Sequence, residues 1–270
     1  MSKEYIKQEL GLFAAALVAS VGLAGDLATA PLVDRLLAEN GKIRSIRCEI
    51  RRETEVGGTR LPTLSRVWFE RPDRLRVETV TPDARRIVVD GQAIYKWIDG
   101  QAQGVRIPLA EAPESELIQV RRVPATADEH LMRLQGLPET VLPPEGLFSV
   151  RCGYAALPPH PFTVLSLDAT GRLARLEFFD TPACTNRLLV VSYAGWQEVK
   201  PGIWIPCLQK TQARARAGTD VSETVRVNGL VVNERIESGT FDAPNQAAGV
   251  QFGNTDEMKE LLLRGGMPAK

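Results

Sequence analysis

Between residues 65 and 98 apolar and charged positions alternate with period two, the pattern of strands that bury one face. Four runs follow one another, at 66–71, 74–80, 85–89 and 93–98. Pro72-Asp73, Thr81-Pro82-Asp83 and Asp90-Gly91 separate them. Proline has no N–H to extend a ladder, and Asp-Gly takes up the backbone of a two-residue hairpin. The stretch therefore predicts an antiparallel meander. Alternation groups Val67 and Phe69 with Arg71, Leu75 with Val77 and Thr79, Ile87 with Val89, and Tyr95 with Trp97. Residues 43–56 predict a longer strand before it, with Ile46, Cys48 and Ile50 on one face and Arg47, Glu49 and Arg51 on the other. Gly57-Gly58 ends that strand.

A second meander is predicted at 147–154, 162–167, 173–179, 187–193, 204–213 and 222–232, with Leu176, Phe178 and Tyr193 turned inward. With one more strand at 104–107, the chain reads as mainly β, with about eleven strands. Helical spacing interrupts the β rhythm in three places. Residues 31–40 place Leu32, Val33, Leu36 and Leu37 on one face. Between the meanders, 114–120 carries Leu117, and 127–135 carries Leu131, Met132 and Leu134. Thr126 to Glu129 reads as a capping box and Gly136 as the stop. Each helix is expected to seal or cover an end of the barrel. At the C-terminal end, 246–253 reads as linker and 256–264 as a short helix capped by Thr255.

Residues 10–25 are uncharged and apolar but short of the ~20 residues that span a bilayer. With Gly22-Leu23-Ala24 at their end, residues 1–25 read as a signal peptide. The apolar run has no cysteine at a lipid-attachment position, so a soluble exported monomer is expected. The chain of 270 residues has a formal net charge of zero, which implies no bulk attraction to nucleic acid. Residues 42–86 are locally basic, with twelve Lys or Arg against seven Asp or Glu. That face reads either as a solvated sheet surface or as a docking surface for anionic headgroups or an acidic partner. No aromatic stacking platform is interleaved with these arginines, as a nucleic-acid site would need.

Catalytic signals are absent. His130 and His160 lack metal-ligand spacing, and Cys48, Cys152, Cys184 and Cys207 form no C-x-x-C or zinc pattern. No nucleophile elbow or phosphate-binding loop occurs. Neither an enzyme nor a cofactor or metal is expected, and the spacing of the cysteines does not choose a disulfide pairing.

Trp68, Arg71-Pro72, Pro82-Asp83 and Asp90-Gly91 followed by Tyr95 resemble the outer-membrane lipoprotein carrier (LolA-type) family. So do Trp196, Ile203-Trp204-Ile205-Pro206, the run Val232 to Ile236, and Thr240-Phe241 with Pro244. The resemblance spans roughly residues 32–245, taken as one domain at 31–245. It implies a half-open antiparallel β-barrel whose mouth is covered by lid helices. It implies a periplasmic carrier that shields the acyl chains of lipoproteins on their way to the outer membrane. Its partners would be an acylated lipoprotein or lipid cargo, an inner-membrane release complex and an outer-membrane acceptor. In that family the arginine before this proline locks the lid, a role that falls to Arg71. Ile46, Ile50, Val67, Phe69, Leu75 and Val77 would line the cavity, together with Ile87, Val89, Tyr95, Trp97, Leu176 and Phe178. Leu36, Leu117, Leu131, Met132 and Leu134 would face it from the lid. The same fold also serves carriers of other lipids or glycolipids, and non-transport sensor or scaffold domains.

Overall fold

The computed structural model describes residues 30–155, 162–214 and 220–253. Within them fourteen strands form one sheet, in the order β14-β6-β5-β4-β3-β2-β1-β13-β12-β11-β10-β9-β8-β7. The first meander is β1 (Ser45–Val56), β2 (Thr59–Glu70), β3 (Arg74–Thr81), β4 (Arg85–Asp90), β5 (Ala93–Ile98) and β6 (Gln103–Pro108). The second is β7 (Glu139–Leu142), β8 (Val150–Ala155), β9 (Phe162–Leu167), β10 (Leu173–Phe179), β11 (Arg187–Lys200), β12 (Ile203–Arg214) and β13 (Asp220–Val232). The two meet where β1 pairs antiparallel with β13. β14 (Gln251–Gly253) joins the edge of β6 and is parallel to it.

The sheet does not close: β14 and β7 are its two ends. The segment between β6 and β7 must therefore run from one side of the opening to the other. It carries α2 (Glu114–Arg121) and α3 (Asp128–Leu134), while α1 (Leu32–Gly41) precedes β1. A short α4 (Ala243–Gln246) precedes β14. This is the open barrel with helices across its mouth that the sequence predicts.

Two prolines sit inside strands, at places where the ladder can spare an N–H. Pro62 pairs only with Glu53 of β1, because the pairing of β2 with β3 begins at Leu64. Pro206 pairs only with Trp196 of β11, because the pairing of β12 with β13 begins at Leu208. A proline is tolerated where a strand has a neighbour on one side only.

The strand count rises from about eleven to fourteen. β7 and β14 are short edge strands that a periodicity reading passes over, and residues 251–253 are strand rather than linker. The signal segment 1–25, His160 and the tail helix at 256–264 lie outside the described residues.

Two apolar clusters fill the helix-covered face. In one, Leu32 and Val33 of α1 and Leu131 and Leu134 of α3 pack on Cys152, Leu165, Leu176 and Phe178. In the other, Val120 and Val123 of the inter-meander segment descend onto Ile46, Val67, Phe69, Leu75 and Val89.

Candidate functional site

The register fixes which side chains face the helices. Val67 lies opposite Val77, Phe69 opposite Leu75, Leu75 opposite Val89, and Val77 opposite Ile87. Across the next pair Val89 meets Ile94 and Ile87 meets Lys96, which in turn lies opposite Val105. Tyr95 pairs with Val88 and so lies on the opposite face of the sheet. There Tyr95 and Trp97 pack with Ala243, Ala247 and Phe252, under α4 and β14. The expectation that Tyr95 lines the cavity is therefore corrected, and Trp97 faces away from Ile87 and Val89. The aromatic pair anchors the C-terminal segment on the other side, although Trp97 also borders the cavity described next.

That cavity measures about 450 Å³ and lies over β4, β5 and β6. Ile87, Ile98, Val105 and Ile107 give it apolar walls, Lys96 and Glu116 enter it, and Pro113 and Glu116 place the start of α2 against it. Thr79, Arg85 and Arg86 also line it. Of the expected lining, Ile87 and Trp97 border this space. Ile46, Val67, Phe69, Leu75 and Val89 are buried in the packed cluster beneath Val120 and Val123, with Ile50 and Val77 at its margin. Leu176 and Phe178 are covered by α1 and α3. Most of the expected lining is thus packed over, by Val120 and Val123 of the connecting segment on one side and by α1 and α3 on the other. Sequence alternation marks which face is apolar, but it does not show what an insertion lays upon that face.

The five expected lid residues divide in a similar way. Leu36, Leu131 and Leu134 pack in the α1–α3 cluster, whereas Leu117 and Met132 are partly exposed.

Arg71 reaches the end of α1. Its Nε donates to the Ile43 carbonyl at 2.9 Å and its Nη2 to the Asn40 carbonyl at 3.4 Å. The start of α1 is held by a charge of opposite sign, since the Leu32 N–H donates to the Glu139 carboxylate at 2.7 Å. A carboxylate at a helix start and a guanidinium at its end each complement the helix dipole. The Tyr154 hydroxyl donates to the same Glu139 oxygen at 2.5 Å. Burial and that neighbouring carboxylate push the Tyr154 phenol up, so it stays a donor.

The alternation of the sequence does not reveal Asp128, which sits at the centre of this junction. It is 2% exposed. Its Oδ1 accepts from the Asn40 amide at 2.6 Å and its Oδ2 from the Val123 N–H at 2.9 Å. Oδ2 is also 3.9 Å from Arg71 Nη2. One carboxylate thus ties together the end of α1, the turn before α3, and β2 through Arg71. The expected capping box does not form. Thr126 Oγ1 accepts from the Asp128 N–H at 3.3 Å, and Glu129 pairs instead with Arg122 at 2.7 Å. Burial lowers the Arg122 guanidinium from its ordinary value. Burial alone would raise the Glu129 carboxyl, but Arg122, a hydrogen bond from Gln119 and the nearby His130 and Arg133 together outweigh it, and the net shift is downward.

All four cysteines are free, and burial pushes the Cys48 thiol up to about 12. Among the described residues no His, Cys, Asp and Glu cluster could hold a metal ion, and no helix is long and apolar enough to cross a membrane.

No family model matches the chain, and no curated protein matches it significantly. Solved structures do. A LolA superfamily protein from Nitrosomonas europaea aligns over 78% of this chain and 98% of its own, at TM-score 0.50 and 13% identity. A DUF1329 family protein from Desulfovibrio piger aligns over 79% and 95%, at 0.55 and 11%. A putative outer membrane lipoprotein-sorting protein domain from Vibrio parahaemolyticus aligns over 80% and 96%, at 0.53 and 12%. The near-complete coverage of each neighbour, the single open sheet and the helices across its mouth lead to one conclusion: this chain has the LolA-like fold.

Proposed function

We propose that the protein is a carrier that takes an acyl chain into the space between β4–β6 and α2, and that its cargo is an acylated lipoprotein or a free lipid. The observation that carries this reading is the cavity of about 450 Å³ with Ile87, Ile98, Val105 and Ile107 in its walls. Its size falls in the ~300–1,000 Å³ range of small-molecule sites. Each methylene transferred from water to such a surface gains ~0.8 kcal/mol, so a short stretch of chain suffices for retention. Accommodating a full chain requires the inter-meander segment to lift Val120 and Val123 from the sheet. Arg71 and Asp128, which join that segment to α1 and β2, are the contacts such opening would break. On this reading residues 1–25 direct export and the protein works in the periplasm, between an inner-membrane donor and an outer-membrane acceptor.

The packed cluster around Phe69 and Val89 favours a second reading, a sensor or scaffold domain that binds a protein partner and carries nothing. Binding separates the two. Protein purified from a membrane-containing host is expected to retain lipid by native mass spectrometry. It should also bind a fluorescent fatty-acid probe, and Val105→Trp should abolish that binding while the folded far-UV spectrum persists. Absence of both lipid and probe binding in the wild type would exclude the carrier.

A further inference from the structure

Charged side chains stand where the carrier reading expects only apolar ones: Arg85 and Arg86 border the cavity, and Lys96 enters it from the middle of its apolar wall. The register places Lys96 on the helix-covered face, between Ile87 of β4 and Val105 of β6. Ile98 and Ile107 extend the same wall. The ammonium is neutralised by a group outside the sheet: Lys96 Nζ lies 2.5 Å from Glu116 Oε1, and the side chains are only 18% and 25% exposed. Glu116 is in the first turn of α2. The ion pair therefore spans the cavity, from wall to roof.

This geometry has a consequence for cargo. An ammonium on an apolar wall is strongly disfavoured without a counter-charge. If α2 lifts to admit a chain, Glu116 leaves with it. A cargo with an anionic head replaces the lost carboxylate, while its chain lies along Ile87, Val105 and Ile107. A neutral head leaves the ammonium unpaired. We propose that this cavity selects amphiphiles whose head is an anion, a carboxylate or a phosphate, and that Glu116 holds the place of that anion in the empty protein. The inference rests on the carrier reading and goes beyond it, since acyl shielding alone is indifferent to head charge.

The test compares lauric acid with its methyl ester, the same chain with and without the charge, by calorimetry on the full chain at mildly alkaline pH. Vesicles of phosphatidylglycerol and phosphatidylcholine form a second pair, and preference within one pair or the other tells a phosphate head from a carboxylate. The wild type is expected to bind the anionic member roughly tenfold more tightly, the scale of one charge-assisted hydrogen bond. Lys96→Met, similar in length and suited to an apolar wall, should equalise acid and ester. Glu116→Gln removes the internal competitor, leaves the sheet intact and should raise affinity for the acid several-fold. If Lys96→Met does not fold, the response of Glu116→Gln decides. Equal binding within both pairs by the wild type, or a preference that survives Lys96→Met, overturns the inference and leaves the carrier standing. Failure of every one of these ligands to bind the wild type overturns both.

Discussion

Asp128 shows how much of the interior hangs on one carboxylate. Its two oxygens take an amide from α1 and a backbone N–H from the turn before α3, with Arg71 within ion-pair distance. Removing it strands the Val123 N–H and the Asn40 amide and leaves Arg71 without its acidic neighbour. Asp128→Ala is therefore expected to cost about 2–4 kcal/mol in urea unfolding, since each buried group left unpaired costs ~1–3 kcal/mol. Arg71→Leu should cost less, about 1 kcal/mol, because the guanidinium is 34% exposed and its contribution is screened by solvent. A larger loss from Arg71→Leu than from Asp128→Ala would move the centre of the junction to the arginine. The sequence pointed to Arg71 through a resemblance and to Asp128 only as part of a capping box. A carboxylate that serves three distant segments has no signature in local spacing.

Among the elements, β14 depends on a glycine in its neighbour. A Cβ added at Gly104 would lie 2.7 Å from Phe252 Cε1 and 3.0 Å from the Lys96 carbonyl oxygen. Phe252 in turn meets Tyr95 and Trp97 edge to face, with centroids 5.2 and 5.9 Å apart. Gly104→Ala is expected to push Phe252 off this platform, at a cost of ~1–3 kcal/mol for an overpacked site. The segment after Phe241 should then be cut earlier in limited proteolysis. Adding Phe252→Ala should cost less in the Gly104→Ala background than in the wild type, because there it removes a ring that is already displaced and relieves the clash. Additive costs would show that the glycine serves some other purpose. Such details were not legible in advance. The alternating runs of β3, β4 and β10 are legible in the sequence because each carries a continuous apolar face. β7 and β14 are too short to show a period. The outer half of β2, 59–65, carries Pro62 and few apolar residues, so only its pairing with β1 across Gly57-Gly58 marks it as strand. The faces of Tyr95 and Trp97 were misassigned because β5 is apolar on both sides: Ile94 faces the helices, and the aromatic pair faces α4 and β14.

At the scale of the whole molecule the two halves of the mouth differ in kind. Over β8–β11 the sheet is closed by α1 and α3, which bury Leu32, Val33, Leu131 and Leu134 against it. Over β4–β6 the roof is α2, with Val120 its one buried residue. Beyond Val120, two ion pairs hold α2: Lys96–Glu116 at its start, and Arg121–Asp73, at 3.0 Å, at its end. With a single buried side chain, α2 is expected to detach more readily than α1 and α3, whose apolar residues are buried in the sheet cluster. Hydrogen exchange followed by mass spectrometry is expected to show α2 exchanging before α1 and α3, and earlier in high salt, where the ion pairs are screened. Lauric acid should slow exchange across residues 85–121, the walls and roof of the cavity, and leave β8–β11 unchanged. Protection confined to β8–β11 would place the ligand under α1 and α3 and would require the filled half to open. The asymmetry follows from the topology. The connection from β6 to β7 has to cross the open side of the barrel. It can do so with a hollow beneath it only where its side chains, like those of the first turn of α2, are too polar to fill the space.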